Sequence, residues 1–149
     1  MDDLDELRQE LIIDHSRRPR NYGELAGHTH QARGDNPLCG DSFVVQLQLD
    51  GDVIQDIRFT GQGCGMSTAS ASAMTEAVKG NTLAFAHSTF SRFRALVVDR
   101  SGEVDEDELD RLALIATGAK QPMRAKCLTL AWHTLEAALE ARAEPVSTE

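Results

Sequence analysis

The fold is decided by residues 43–59, which read FVVQLQLDGDVIQDIRF. Apolar residues largely alternate with polar ones on both sides of an Asp-Gly pair at positions 50 and 51. Such alternation is typical of strands with one buried face, and Asp-Gly is typical of the tight turn that joins two antiparallel strands. The stretch therefore predicts a β-hairpin whose covered face carries Phe43, Val45, Leu47, Leu49, Val53, Ile57 and Phe59.

Outward from this hairpin the chain is predicted to be mostly helical. Leucines and an isoleucine recur at helical spacing near the start and predict a first helix over residues 3–16. A single edge strand is expected near residues 28–32. After the hairpin, further helices are predicted from Cys64 to just before Gly80, over residues 83–98, over residues 105–116 with an acidic first turn, and over residues 122–142 with Trp132 in the core.

This order of elements indicates the fold class. Strands that precede a series of helices favour an α+β domain, in which helices pack on one face of a small antiparallel β-sheet of about three strands. The 149 residues show no repeat and no linker, so residues 1–149 are expected to form one domain. The tail from about residue 143 is expected to be flexible.

Composition narrows the possible partners. Fifteen basic and 24 acidic residues give a net charge of −9, which disfavours binding to nucleic acid or to anionic membrane surfaces. No apolar run approaches the ~20 residues that a membrane span requires, and the start does not resemble a secretory signal. Three cysteines do not complete a disulfide framework and fit a reducing compartment, so a cytoplasmic location is expected.

Two of the cysteines lie beside glycines. Cys39 is followed by Gly40, whose missing side chain lets backbone or a ligand approach closely. Cys64 lies between Gly63 and Gly65 at a predicted helix start, where the helix dipole favours negative charge on sulfur. The simplest alternative for Cys39 is a small buried apolar residue in an ordinary turn.

The third cysteine has basic neighbours. Cys127 follows Lys126 and comes three residues after Arg124, so two cations lie within one helical turn. Asp41 shares the turn of Cys39 and is the natural fourth member of a metal site. Three thiolates and a carboxylate in a tetrahedral array suit Zn²⁺, and the basic side chains would offset the excess negative charge.

Four ordered stretches carry a resemblance to a known family. NPLCGD at residues 36–41, GQGCGMSTAS at 61–70 and RAKCLTLAW at 124–132 resemble the three cysteine blocks of the IscU/SufU family of iron-sulfur cluster assembly proteins, which is also called NifU N-terminal-like. DHSRRPRNYG at residues 14–23 resembles that family's HYxNPRNxG stretch. The resemblance covers most of the chain and implies the IscU/SufU fold.

Within this family the chain differs from the IscU scaffolds in two respects, and in both it resembles the SufU branch, the zinc-dependent sulfur carriers. Lys126 stands where IscU scaffolds have a histidine, and KQPMRAK at residues 120–126 replaces their LPPVK stretch. A protonated lysine has no lone pair for a metal. The interval from Cys64 to Cys127 also looks longer than in scaffolds.

The resemblance implies a sulfur relay. A pyridoxal-phosphate cysteine desulfurase of the SufS type would pass persulfide sulfur to Cys39, while Cys39, Asp41, Cys64 and Cys127 hold zinc. The sulfur would then go to a downstream iron-sulfur assembly scaffold. The alternative within the family is an IscU-like scaffold that assembles a transient 2Fe-2S cluster on the same ligands.

Other interpretations of the residues stay open. One is a cysteine hydrolase with a histidine base, and another is a purely structural zinc module. His28 and His30 are typical of ordinary loop histidines. The glycine-rich GQGCGM does not fit a dinucleotide-binding loop, because Met66 stands where GxGxxG requires glycine.

Overall fold

The computed structural model describes residues 3–37, 40–98, 111–117, 122–140 and 146–147. Within these ranges the elements follow in chain order as α1 (Asp3–Arg17), β1 (His30–Asn36), β2 (Asp41–Asp50), β3 (Val53–Gln62), α2 (Gly65–Val78), α3 (Leu83–Val98), α4 (Arg111–Ala116), α5 (Pro122–Leu139) and β4 (Val146–Ser147). None of the described helices combines the length and the apolar character that a bilayer span requires.

The sheet has the strand order β3-β2-β1-β4. β1, β2 and β3 pair in antiparallel fashion, whereas the two residues of β4 run parallel to β1 at Gly34 and Asp35. Helices α2 and α5 pack against these strands and against each other. The predicted α+β class, with helices on a small antiparallel sheet, is therefore confirmed, and β4 is an addition to the three expected strands.

The hairpin of β2 and β3 forms where it was predicted. Phe43, Val45 and Leu47 are buried on β2, and Ile57 and Phe59 are buried on β3. The turn between the strands begins at residue 51, a glycine with a φ of +62°. This left-handed conformation suits glycine, and the turn consists of Gly51 and Asp52 instead of the predicted Asp50-Gly51 pair, because Asp50 still pairs with Val53.

One predicted core residue of the hairpin is wrong. Val53 is only half-buried, and its neighbour Ile54 is the fully buried residue. A β-bulge causes the change: Gln48 pairs with Asp56, whereas the next residue of β2 pairs with Ile54, so Gln55 has no cross-strand partner. One extra residue shifts the strand's alternation by one position, and a different side chain then faces the core.

Other predicted elements differ mainly at their ends. β1 begins and ends later than the strand expected at residues 28–32, and α5 ends at Leu139, before residue 142. Of the helix predicted over residues 105–116, the structure describes α4, while its acidic first turn and the preceding loop lie outside the described residues. The tail's flexibility stays a prediction, because residues 141–145 and 148–149 are also outside them.

Trp132 lies at the centre of the core, as predicted. Its side chain is fully buried and stacks on Phe90 and Phe93, with ring centroids 5.7 and 4.8 Å away. Its indole Nε1 donates to Ser70 Oγ at 3.2 Å, and that hydroxyl donates to the Leu128 carbonyl at 2.6 Å. This chain of hydrogen bonds links α2 to α5, the two helices that carry Cys64 and Cys127 at or near their N-terminal ends.

The outer side of β3 is covered by loop backbone at two places. Gly23 donates to the Phe59 carbonyl at 2.9 Å, and Phe59 donates to the Asn21 carbonyl at 3.1 Å. Farther along β3, the backbone of Ile54 is bonded to residues 80 and 81 at 2.7 and 2.8 Å. The loop after α1 and the loop after α2 therefore extend the hydrogen bonding of the sheet beyond its outer strand.

His15 anchors the end of α1 on α2. Its ring is 1% exposed, and its Nδ1 lies 2.7 Å from Ser72 Oγ, which also accepts the Arg20 backbone N–H at 2.8 Å. Burial, followed by the charge of Arg20, lowers the pKa of His15 below its ordinary value, although Glu76 lies 3.5 Å from Nε2 and opposes this. His15 is therefore neutral in the folded protein near pH 7, and its contact with Glu76 is not an ion pair there.

The neutrality of His15 predicts a loss of stability in mild acid. Below about pH 6.5 the unfolded chain takes up a proton on His15 that the folded chain resists, so the free energy of unfolding falls as the pH falls. Urea unfolding of chelator-treated protein between about pH 7.5 and about pH 5 measures this slope. We expect His15→Gln to show a shallower decline than the parent.

The matched control for this measurement is His28→Gln, because His28 is exposed. His133, whose pKa is also lowered by burial, is present in both variants and cancels from the comparison. Equal slopes for His15→Gln and the parent would contradict the prediction.

Candidate metal centre

Three of the four predicted metal ligands converge. One ligand atom from each of Asp41, Cys64 and Cys127 lies within 4.8 Å of the other two. Asp41 is the first residue of β2, Cys64 directly precedes α2, and Cys127 lies in the second turn of α5. Cys39 lies outside the described residues, two positions before Asp41 in the chain, so its place in this group stays a prediction.

The two carboxylate oxygens of Asp41 differ in their hydrogen bonding among the described residues. The residue is 1% exposed, and its Oδ1 accepts the backbone N–H of Cys64 at 2.9 Å. Its Oδ2 is buried and has no hydrogen-bond partner among the described residues. A buried oxygen without a partner costs about 1–3 kcal/mol and more when charged, so this atom fits the position of a metal ligand.

Cys64 is the N-cap residue of α2, which confirms its predicted place at a helix start. Its backbone is extended, with φ −67° and ψ 167°, and its Sγ accepts the N–H of Ser67 at 3.4 Å. The Ser67 hydroxyl lies equally close, at 3.4 Å from Sγ. The positive end of the helix therefore faces this sulfur, which is the arrangement that stabilises a thiolate.

Cys127 is 3% exposed on α5. It immediately precedes Leu128, whose carbonyl accepts the hydroxyl of Ser70 on α2, so the backbone around it is held against α2. Lys126, beside it in the chain, is half-buried. The side chain of Arg124 lies outside the described part of the chain, and its charge at the centre stays a prediction.

Gly63 has a role that the sequence does not reveal. A Cβ at this position would lie 2.5 Å from Ser67 Oγ and 2.7 Å from Asp41 Oδ1. Gly63 therefore makes room for both polar groups around Cys64. Gly65, by contrast, would meet only Ser16 at an ordinary 3.7 Å.

Gly40 and Ser67 complete the surroundings. Gly40 has a φ of +72° between β1 and β2, a conformation that favours glycine. Ser67 is the residue that sequence reasoning missed. The signal was present, because the third residue after an N-cap is the one whose N–H the cap accepts.

No histidine joins the cluster in the described part of the chain. His28 Nδ1 lies 3.1 Å from the Leu25 carbonyl, and His30 Nδ1 lies 2.9 Å from Thr29 Oγ1. Both histidines therefore make local contacts, His28 in the loop before β1, as expected, and His30 as the first residue of β1 instead of in a loop. A cysteine hydrolase needs a histidine base beside its cysteine, and the described residues of this cluster include none.

The α+β fold and the cluster of Asp41, Cys64 and Cys127 together suit a class of metal-binding proteins. Comparison with known proteins identifies the family. Residues 7–144 match the family described as NifU-like N terminal domain. The chain belongs to this family.

Its relatives carry two kinds of name. It is 39% identical over 92% of its length to a protein from Streptococcus pyogenes serotype M1 named iron-sulfur cluster assembly scaffold protein IscU, and it spans 85% of that protein. It is 38% identical over 89% of its length to the zinc-dependent sulfurtransferase SufU of Bacillus subtilis, and it spans 89% of that protein.

A solved structure agrees with the fold. A protein from Fervidobacterium islandicum AW-1, assigned as an iron-sulfur cluster assembly scaffold protein for the SUF system, superimposes with a TM-score of 0.79 at 33% identity. The alignment covers 87% of this chain and 94% of that one. The predicted resemblance to IscU and SufU proteins is therefore confirmed.

Proposed function

We propose that the protein is a zinc-dependent sulfur carrier for iron-sulfur cluster assembly. It accepts persulfide sulfur from a SufS-type cysteine desulfurase in the cytoplasm and passes it to a downstream assembly scaffold. The supporting observation is the convergence of Asp41, Cys64 and Cys127 within 4.8 Å, with Asp41 Oδ2 buried and unpaired among the described residues. The sulfurtransferase name of the Bacillus subtilis relative points the same way.

Cys39, Asp41, Cys64 and Cys127 would hold the zinc. Bound zinc keeps thiolates deprotonated at neutral pH and damps their nucleophilicity. Three thiolates and one carboxylate carry more negative charge than the metal neutralises. The N-terminus of α2 beside Cys64 reduces that excess, and Lys126, which precedes Cys127 in the chain, is proposed to do the same.

Cys39 is the proposed sulfur acceptor. Its thiolate attacks the outer sulfur of the desulfurase persulfide, so that a new S–S bond forms on Cys39. The S–S bond within the desulfurase breaks, and its cysteine leaves as a thiolate. The exchange transfers one sulfur without an external oxidant or reductant, and a second exchange of the same kind passes it on.

A scaffold for a 2Fe-2S cluster is the second candidate. The name of the Streptococcus pyogenes relative favours it. Lys126 weighs against it, because this chain has an ammonium group where the resemblance to IscU scaffolds would place a histidine ligand.

Desulfurase turnover with and without this protein tests the proposal. We expect the zinc-loaded protein to stimulate turnover and the chelator-stripped protein to have almost no effect. Cys39→Ala should abolish both the stimulation and the uptake of labelled sulfur, because the acceptor thiolate is gone. Gln31→Ala, an exposed change on β1, is the matched control and should behave as the parent does.

Two results would contradict this function. Full sulfur uptake by Cys39→Ala would remove Cys39 as the acceptor. Zinc-independent behaviour, together with a stable 2Fe-2S chromophore that transfers to an apo-protein after anaerobic reconstitution, would favour the scaffold.

A further inference from the structure

Every polar group of Cys64 is engaged by the protein. Its N–H donates to Asp41 Oδ1 at 2.9 Å, and its carbonyl accepts the N–H of Thr68 at 3.0 Å and the hydroxyl of Ser67 at 3.1 Å. Its Sγ accepts the N–H of Ser67 at 3.4 Å. Backbone and side chain of this cysteine are therefore both held by the protein's own hydrogen bonds.

Ser67 contributes two of these four contacts. It is completely buried in the first turn of α2, so water does not compete for its hydroxyl. The hydroxyl proton has two acceptors within reach, the Cys64 carbonyl at 3.1 Å and Cys64 Sγ at 3.4 Å. A charged acceptor makes the stronger hydrogen bond, so a Cys64 sulfur that binds a metal as thiolate would draw this proton away from the carbonyl.

Two hydrogen bonds to one thiolate change its chemistry. They stabilise its lone pairs, and a less basic thiolate is a weaker nucleophile. Groups that hydrogen-bond a metal ligand also fix its direction. Ser67 thus gives Cys64 the properties of a ligand that stays on the metal and does not react.

We propose that Ser67 is a positioning residue that makes Cys64 the ligand retained on zinc while Cys39 leaves to accept sulfur. This inference rests on the proposed zinc-dependent function. According to this inference, Ser67 causes Cys64 and Cys39 to differ in function, although its own side chain need not bind the metal.

Cobalt-loaded protein provides a test that does not depend on the desulfurase. Removing a hydrogen bond from a thiolate raises the energy of its lone pairs, so Ser67→Ala should move the thiolate-to-cobalt charge-transfer band to lower energy. In the zinc-loaded protein, Ser67→Ala should also speed alkylation of Cys64 by iodoacetamide, by roughly threefold or more, as mapped by mass spectrometry.

Thr68→Ala is the matched control. Thr68 lies in the same turn, and its backbone bond to the Cys64 carbonyl survives the change. The charge-transfer band of Thr68→Ala and the rate at which its Cys64 is alkylated should equal those of the parent. If Ser67→Ala fails to bind cobalt, Ser67→Thr decides the question, because it keeps the hydroxyl: a parental band supports the proposal, and a displaced band overturns it.

The outcomes separate this inference from the function on which it rests. A parent protein that gives no thiolate-to-cobalt band has no such metal centre, and both proposals then fail. A parental band that Ser67→Ala leaves in place, with unchanged alkylation of Cys64, overturns the role of Ser67 alone.

Discussion

Replacement of Gly63 by alanine is expected to lower zinc affinity by about 10- to 100-fold, the range found when groups that support metal ligands are disturbed. The added Cβ would lie 2.5 Å from Ser67 Oγ, 2.7 Å from Asp41 Oδ1 and 3.0 Å from the ring of Phe43. Real Cβ atoms essentially never come as close as the first two distances, and the third is unusually tight. The neighbours must therefore move.

None of these neighbours moves cheaply. Asp41 and Ser67 are short, buried side chains that are hydrogen-bonded to Cys64, and Phe43 belongs to the hydrophobic core. Displacing Asp41 breaks its bond to the Cys64 N–H and shifts the oxygen proposed to bind zinc. The cost therefore falls on the metal centre.

Competition with a chromogenic chelator measures the affinity, and Gly65→Ala is the matched control. Gly65 is also a glycine next to Cys64, but its Cβ would meet only Ser16 at 3.7 Å. We expect this control to bind zinc as the parent does. Equal affinities for Gly63→Ala and Gly65→Ala would show that the space at Gly63 is not needed by the metal centre.

Trp132→Ala is expected to lower the free energy of unfolding by about 3–5 kcal/mol, the usual cost of truncating a fully buried large aromatic residue. The change removes the stacking on Phe90 and Phe93 and leaves a cavity between α3 and α5. It also removes the donor to Ser70, whose hydroxyl links α2 to the Leu128 carbonyl.

Urea unfolding followed by circular dichroism measures this loss, since the variant lacks the chain's single tryptophan and its fluorescence. Phe85→Ala is the control, because Phe85 is an aromatic residue of α3 that remains 45% exposed. A loss below about 1 kcal/mol for Trp132→Ala would contradict the central place of this side chain in the core.

The fold could be predicted where a short periodicity carries the information. Alternation along residues 43–49 placed Phe43, Val45 and Leu47 inward, and helical spacing gave the bounds of Leu83–Val98. The bulge in β3 could not be predicted in this way. It depends on how two strands pair, and a single extra residue leaves no mark in the composition of either strand.

The sequence likewise predicted some features of the metal centre and not others. The sequence indicated Asp41, Cys64 and Cys127, because each lies in a local setting that suits a metal ligand. It could not show that Asp41 Oδ1 binds the N–H of Cys64, or that Gly63 separates Asp41 from Ser67, since these contacts join residues that only the fold brings together. Cys39 remains a prediction.

The loops bonded to the outer side of β3 have a consequence for self-association. An exposed strand edge offers unpaired N–H and C=O groups to another chain and so invites aggregation. Here the backbones of Phe59 and Ile54 are already occupied by residues 21, 23, 80 and 81. A second molecule therefore cannot add a strand at these positions, which protects the protein when it is crowded by its own copies.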